Sequence, residues 1–286
     1  MAADASTAVN AARARDPDFL CVGARKAGTT WLYRLCETSP AFDMPRIKEI
    51  NFFNSALFKR ALGQEVNPEH LNAALSRLPE GDREFAARDP LGWYRSLFAQ
   101  NGRRSGDVSP LYSVLRKPLI EKVKGEFPQV KIVILLRNPL DRIMSDTAMR
   151  SVNQGVEFND LDADQQMETL LSWYGPVLSM RDFIGRWRSV FGPSLGIFFL
   201  DDISSDPERF AQKFCAFMGV DYQPGLARTV ENPNPGGAKK ARLAFKPAVS
   251  AKVKEIARAD LDALSRDVPS DLLAKWKADV ERFASA

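Results

Sequence analysis

Histidine is almost absent: among 286 residues only His70 carries an imidazole. A Ser-His-Asp hydrolase would have to use it, and a histidine-rich metal site is excluded. Cysteine is scarce as well. Cys21, Cys36 and Cys215 make three, an odd and low count that rules out a disulfide framework. Each falls in an apolar run and reads as a small buried hydrophobe. Long hydrophobic runs are missing too. The longest aliphatic stretch, 132–136, is far too short to span a bilayer. The first 16 residues, MAADASTAVNAARARD, hold no apolar core of secretory-signal length, so a disordered tail and a cytoplasmic protein are expected. Nor does one sign of charge dominate. A net charge of +4 is too mild to coat nucleic acid, though it permits a local anion site.

What is present is an ordinary globular composition, 45% hydrophobic and 27% charged, which argues against global disorder. Residues 17–286 are expected to form one domain, because too little chain follows the NPNPGG stretch at 232–237 to build a second core. Strand-like and helix-like segments alternate. The run FLCVG at 19–23 reads as a buried strand, and 29–38 as a helix with Trp31, Leu32 and Leu35 at helical spacing. VKIVILL at 130–136 is continuous and β-branched, as buried parallel strands are. LGIFFL at 195–200 reads as a third strand. Helical patterns are expected over 68–78, 173–190, 206–218, 248–264 and 269–283. This rhythm predicts an α/β fold: three α/β/α layers around a central parallel sheet.

Between the first strand and the first helix lies Gly23-Ala-Arg-Lys-Ala-Gly28-Thr29-Thr30. Two glycines let the backbone approach an anion, and the helix start turns N–H groups and positive dipole toward it. Lys26 adds a mobile charge, and Thr29 and Thr30 add hydroxyls. A triphosphate loop would read GxxxxGK[ST]. Here the lysine stands two residues before Gly28, so the loop suits phosphate but not ATP with magnesium. The plainer alternative is a tight strand-to-helix turn with a solvated Lys26.

A second signal follows the strongest strand. Arg137 sits at its carboxyl end, where open α/β sheets bind ligands. Arg142 and Ser145 are three apart on one face of the next helix. An arginine fork and a serine hydroxyl near a helix start make a monophosphate clamp. Alternatively, Arg137 and Arg142 pair with Asp141 or Asp146 and tie the helix down.

Together the two motifs resemble a family. RKAGTTWL at 25–32 is similar to the phosphosulfate loop of sulfotransferases that use 3′-phosphoadenylyl sulfate (PAPS). LLRNPLDRIMSD at 135–146 is similar to their 3′-phosphate segment. KEINFF at 48–53 resembles the KE-x-x-FF segment of the heparan-type and bacterial branches. Looser likenesses are DVSPLY at 107–112, the stretch from Tyr174 to Trp187 leading into FFLDDISSDP, and the basic stretch 232–242.

The resemblance implies a P-loop-like nucleotide-binding fold and a PAPS-dependent sulfotransferase. It would move a sulfuryl group to an acceptor hydroxyl and release adenosine 3′,5′-bisphosphate (PAP). The acceptor would be a saccharide, a lipid or a small metabolite. Lys26, Ala27, Gly28, Thr29 and Thr30 would hold the 5′-phosphosulfate, with Arg25 and Trp31 alongside. Arg137 and Ser145 would hold the 3′-phosphate. Tyr174 would lie beside adenine, and Lys239, Lys240 and Arg242 would close over the nucleotide. Val108 stands where related carbohydrate enzymes often carry a lysine, so direct contact of that segment with the sulfuryl group is not expected.

Sulfuryl transfer should resemble phosphoryl transfer, in line and with charge gathering on the leaving oxygen. Lys26 is the expected neutraliser of that charge. Glu49 follows the expected loop and matches the catalytic glutamate of the heparan-type branch, so the resemblance implies that it is the base; its alternative is a salt bridge to Lys48, Arg46 or a helix. His70, at the start of a polar helix, reads as a surface residue. No metal is expected, since no magnesium-binding carboxylate stands out. Trp93, Tyr94 and Phe98 could line an acceptor pocket, although helical spacing favours the core. Arg103 with Arg104, and the Lys252, Lys254 and Arg258 row, read as solvated faces. The competing functions are an ATP-dependent P-loop kinase and a non-catalytic nucleotide-binding module.

Overall fold

The computed structural model describes residues 15–98, 101–174, 180–231 and 243–283. Four strands form one parallel sheet: β1 (Phe19–Gly23), β2 (Gly106–Val108), β3 (Lys131–Leu136) and β4 (Leu195–Phe199). Their order across the sheet is β2-β1-β3-β4. The chain leaves β1 to one side to make β2, then returns past β1 to make β3. The order therefore reverses between β1 and β3, and the carboxyl ends of these two strands flank the crevice where open α/β sheets take ligands. β1 and β3 are buried almost throughout, as continuous apolar strands between two helical layers must be.

Helix α1 (Thr29–Thr38) follows β1. A helical stretch, α2 (Ala56–Ala61), α3 (Pro68–Ser76), α4 (Glu80–Arg88) and α5 (Pro90–Ser96), precedes β2. Helix α6 (Lys117–Glu126) leads into β3, and α7 (Pro139–Gln154) leaves it. Helices α8 (Ala163–Tyr174) and α9 (Met180–Phe191) precede β4. α10 (Leu200–Ser205), α11 (Pro207–Met218) and α12 (Leu226–Thr229) follow it, and α13 (Pro247–Ala263) and α14 (Ser270–Arg282) come last. One sheet face receives α11: Phe214 meets Phe19 edge-on at 5.8 Å and packs near Phe198 at 5.9 Å. The other carries α9 packed on α6, and the Phe183 ring lies against Gly23, where a Cβ would come within 2.9 Å of it.

The expected three-layer α/β/α architecture is present, and β1 and α1 have the expected bounds. β3 starts at Lys131 rather than Val130, whose N–H turns back to the Phe127 carbonyl instead. β4 stops at Phe199, and Leu200 opens a helix. The single helix expected over 173–190 is two helices, α8 and α9, with 175–179 outside the described residues. β2 carried no periodic signal, being three residues long.

Trp93, Tyr94 and Phe98 belong to the core and not to a pocket. Tyr94 stacks on Phe52 at 4.4 Å and 9°, and Phe53 meets both Tyr94 and Tyr112. Such pairs add about 0.5–1.5 kcal/mol each beyond burial. The three cysteines are buried and free, and His70 is exposed. Arg103 and Arg104 pair with Asp43 and Asp18, and Lys252 and Arg258 pair with Glu255 and Glu281. Among the described residues, no helix is long and apolar enough to cross a membrane.

Candidate active site

The loop after β1 is shaped by left-handed backbone. Lys26 has φ 64° and Gly28 has φ 96°. Gly28 is held to glycine twice over, since a Cβ there would come within 2.8 Å of Leu200 Cδ1. It is also the N-cap of α1, where no side chain caps the helix and no acidic residue occupies the first turn. The leading N–H groups of α1 and its dipole are thus left for an anion. The Trp31 ring turns inward and meets Phe210 edge-on at 5.5 Å, so what Trp31 can offer an anion is its backbone N–H. Ala27 and Thr29 are buried, and Thr30 is half-buried.

The structure brings the end of β3 onto this loop. Arg137 Nη1 donates to the Lys26 carbonyl at 3.2 Å, and its Nη2 lies 3.6 Å from Asp141. Arg25 Nη2 stands 3.3 Å from Asp146 on α7, whose other oxygen accepts from Arg150 Nε at 2.8 Å. Lys26 Nζ points at Met149 Sδ, 3.5 Å away on the same helix. Burial pushes the Lys26 pKa down. Asp146 acts against that, Arg137 and Arg25 reinforce it, and Glu49 opposes it. Four charged groups from four segments thus act on one ammonium. Ser145 is half-buried on α7, and its hydroxyl makes no hydrogen bond among the described residues.

Arg142 lies elsewhere. Although it shares a helix face with Ser145 by spacing, it is buried, with Nη2 3.6 Å from Asp260 on α13. It is not part of the clamp. Asp260 also accepts the Met180 N–H at 3.1 Å. Burial raises its carboxyl to about 6 in spite of Arg142. Arg137 does pair with Asp141, so the helix-tying alternative holds for it alongside its contact with Lys26.

Glu49 is exposed, at φ 58°, with Oε1 2.6 Å from Lys48 Nζ. It approaches Lys26 closely enough to act on the lysine's pKa. The FF that follows explains how the loop is held. Phe52 and Phe53 plunge into the aromatic core, so Lys48 and Glu49 are left at the surface. Val108 is buried on β2 and presents no side chain to the site.

Asp146, Arg150 and Met149 were not foreseen as site residues. Their i, i+3 and i+4 spacing on α7 was visible, but which strand end α7 would face was not. The description of Tyr174 stops at its backbone, the last residue of α8. Lys239, Lys240 and Arg242 lie outside the described residues. Among the described residues no group of three His, Cys, Asp or Glu gathers in a way that could hold a metal ion.

The sulfotransferase family model matches residues 17–224. The chain belongs to the sulfotransferase family. Its fold is also that of solved sulfotransferases. One from Alicyclobacillus acidocaldarius is 19% identical at a TM-score of 0.55, over 92% of this chain and 99% of that one. The sulfotransferase domain of the Synechococcus PCC 7002 olefin synthase is 19% identical at 0.53, covering 90% and 97%. Mouse sulfotransferase SULT7A1, complexed with PAP, is 18% identical at 0.53, covering 93% and 90%. At such identities the likeness is one of fold. No curated protein matches the sequence significantly. Within this sulfotransferase, the loop after β1 and the start of α7 occupy the switch point of the sheet, and Glu49 approaches from the β2 side.

Proposed function

We propose that this sulfotransferase moves a sulfuryl group from PAPS to an acceptor hydroxyl and releases PAP. The observation that carries the reading is the meeting of Lys26 and Arg137, through the 3.2 Å bond from the Arg137 guanidinium to the Lys26 carbonyl. It joins two strand ends into one cationic crevice beside an uncapped helix start, which suits a nucleotide with phosphate at both its 5′ and 3′ positions. The mouse relative in fold, complexed with PAP, supports that choice of nucleotide.

In this reading Lys26, the N–H groups of Gly28, Thr29 and Thr30, and Arg25 hold the 5′-phosphosulfate, and Arg137 with Ser145 holds the 3′-phosphate. Tyr174 lies beside adenine, and Lys239, Lys240 and Arg242 close over it. The acceptor oxygen attacks sulfur in line, and the bond from sulfur to the 5′-phosphate oxygen breaks. The acceptor's proton passes to the Glu49 carboxylate, while Lys26 balances the charge arriving on the leaving phosphate. A saccharide, lipid or small hydroxyl metabolite serves as acceptor.

Thermal unfolding with PAP against ATP–Mg²⁺ tests the donor. PAP at about 100 times its Kd should add about 2.7 kcal/mol of stability, with ATP–Mg²⁺ adding little. A shift with ATP–Mg²⁺ and none with PAP would end the proposal. A screen of labelled sulfuryl transfer from PAPS over saccharide, lipid and small hydroxyl compounds then identifies the acceptor.

A further inference from the structure

Beneath Glu49 lies a buried carboxylate that the reaction itself does not use. Asp107, on the edge strand β2, is 1% exposed. Its Oδ2 accepts the hydroxyls of Tyr112 at 2.5 Å and Tyr94 at 3.1 Å, and its Oδ1 accepts the Ser109 hydroxyl at 2.6 Å. With its one proton given to Asp107, the Ser109 oxygen accepts the backbone N–H of Asn51 at 3.0 Å. Asn51 Nδ2 in turn donates to the Glu49 carbonyl at 2.8 Å, and the Glu49 N–H donates to the Val108 carbonyl at 3.2 Å. A chain of bonds thus runs from the buried carboxylate through Ser109 and Asn51 to the Glu49 carbonyl, while the Glu49 N–H is tied to the β2 backbone.

The end of that chain is left-handed backbone, costly at Glu49 and better tolerated at Asn51. Glu49 and Asn51 both lie in the left-handed region, at φ 58° and 53°, and neither is glycine. Such residues persist only where surrounding bonds over-determine them, and they gather at functional sites. The carboxylate is costly as well, since burial pushes Asp107 up to about 6 even with three hydroxyls donating to it. Two unfavourable features one hydroxyl apart, beside the donor loop, call for a common reason.

We propose that Asp107 and Ser109 are positioning residues for Glu49: they lock the 49–51 loop in its left-handed form, so that the Glu49 carboxylate is fixed toward the transferring group. The inference rests on the reading of Glu49 as the base. It assigns a role to DVSPLY that needs no contact between this segment and the sulfuryl group.

The test is Ser109→Ala, alone and combined with Glu49→Gln, with Asp107→Asn as a second variant. Hydrogen exchange reads the loop, calorimetry reads PAP binding, and loss of labelled sulfuryl from PAPS, with water as the default acceptor, reads turnover. Ser109→Ala should speed exchange at the Glu49 amide, which keeps its own acceptor, by about tenfold or more. It should lower kcat by a similar factor while PAP binding is unchanged, since a misplacement near 1 Å can cost about 100-fold. In the Glu49→Gln background the further loss of rate should vanish, because residues acting through one group are not additive. Asp107→Asn should reproduce the pattern more weakly. The same loss of rate in both backgrounds, or PAP binding that falls with turnover, would overturn the proposal. Normal turnover for Ser109→Ala in an enzyme that Glu49→Gln disables would overturn it while leaving the base in place. Full activity of Glu49→Gln would remove the base itself, and the positioning role with it.

Discussion

On the proposed donor side of the site, the proposed anion-binding groups lie just past the ends of β1 and β3. On the acceptor side, Glu49 hangs on a loop that no strand carries. The two regions reach order by different routes. Lys26 and Arg137 inherit their placement from the backbone ladder, with one side-chain bond between them. The 45–51 loop has one backbone bond to β2, from Glu49 to Val108, and is held otherwise by side chains: the Tyr33 hydroxyl donates to the Pro45 carbonyl at 2.6 Å, Ser109 receives Asn51, and Phe52 and Phe53 anchor the end. Damage on the sheet-borne side should therefore always reach donor affinity, and damage on the loop-borne side should reach rate alone.

Four substitutions sharpen that contrast. The largest effect is expected from Glu49→Gln, which should cut turnover about 100-fold or more, the usual worth of a general base, while calorimetry finds PAP binding nearly intact. Lys26→Ala should cut turnover by about 100-fold, as loss of a charge-stabilising donor does, and should weaken the donor's KM as well. Normal steady-state kinetics for that variant would remove Lys26 from the mechanism. Arg137→Ala should weaken PAP binding about tenfold or more and leave adenosine 5′-monophosphate binding nearly unchanged. An equal loss for both nucleotides would move Arg137 away from the 3′-phosphate.

The smallest effect concerns pH. Burial pushes the Asp107 carboxyl up to about 6, above the ordinary carboxylate range, so the folded state binds its proton more tightly than the unfolded one. Stability from this group must therefore rise as pH falls from about 7 toward 4. Urea unfolding of the wild type and Asp107→Asn at pH 7.5 and 5 checks the sign, because the raised carboxyl of Asp260 is common to both and cancels. A wild type that loses ground to the variant at pH 5 would show the assignment to be mistaken.

The meeting of the proposed donor groups was largely legible in the sequence. The glycine loop after FLCVG and the arginine after VKIVILL are local patterns, and two strand ends in a parallel sheet need only adjacency to meet. The acceptor half was legible only in part. KEINFF marked Glu49, but nothing local says that Phe52 and Phe53 would anchor it, or that Asp107, 58 residues away from it by the chain numbering, would support it through Ser109. Arg142 misled because helical spacing gives a face and not its neighbour. Its neighbour, Asp260, lies on a helix far along the chain.

That last pair reaches past the end of the family-model match. The family match ends at residue 224, yet α7, which carries Ser145 and Asp146, rests its buried guanidinium against a carboxylate at position 260. A protein cut at the family boundary would strip Arg142 of that counter-charge, and breaking a buried ion pair costs about 3–5 kcal/mol. The final two helices, beyond the family-model match, are thus a footing for the helix that carries Ser145 and Asp146.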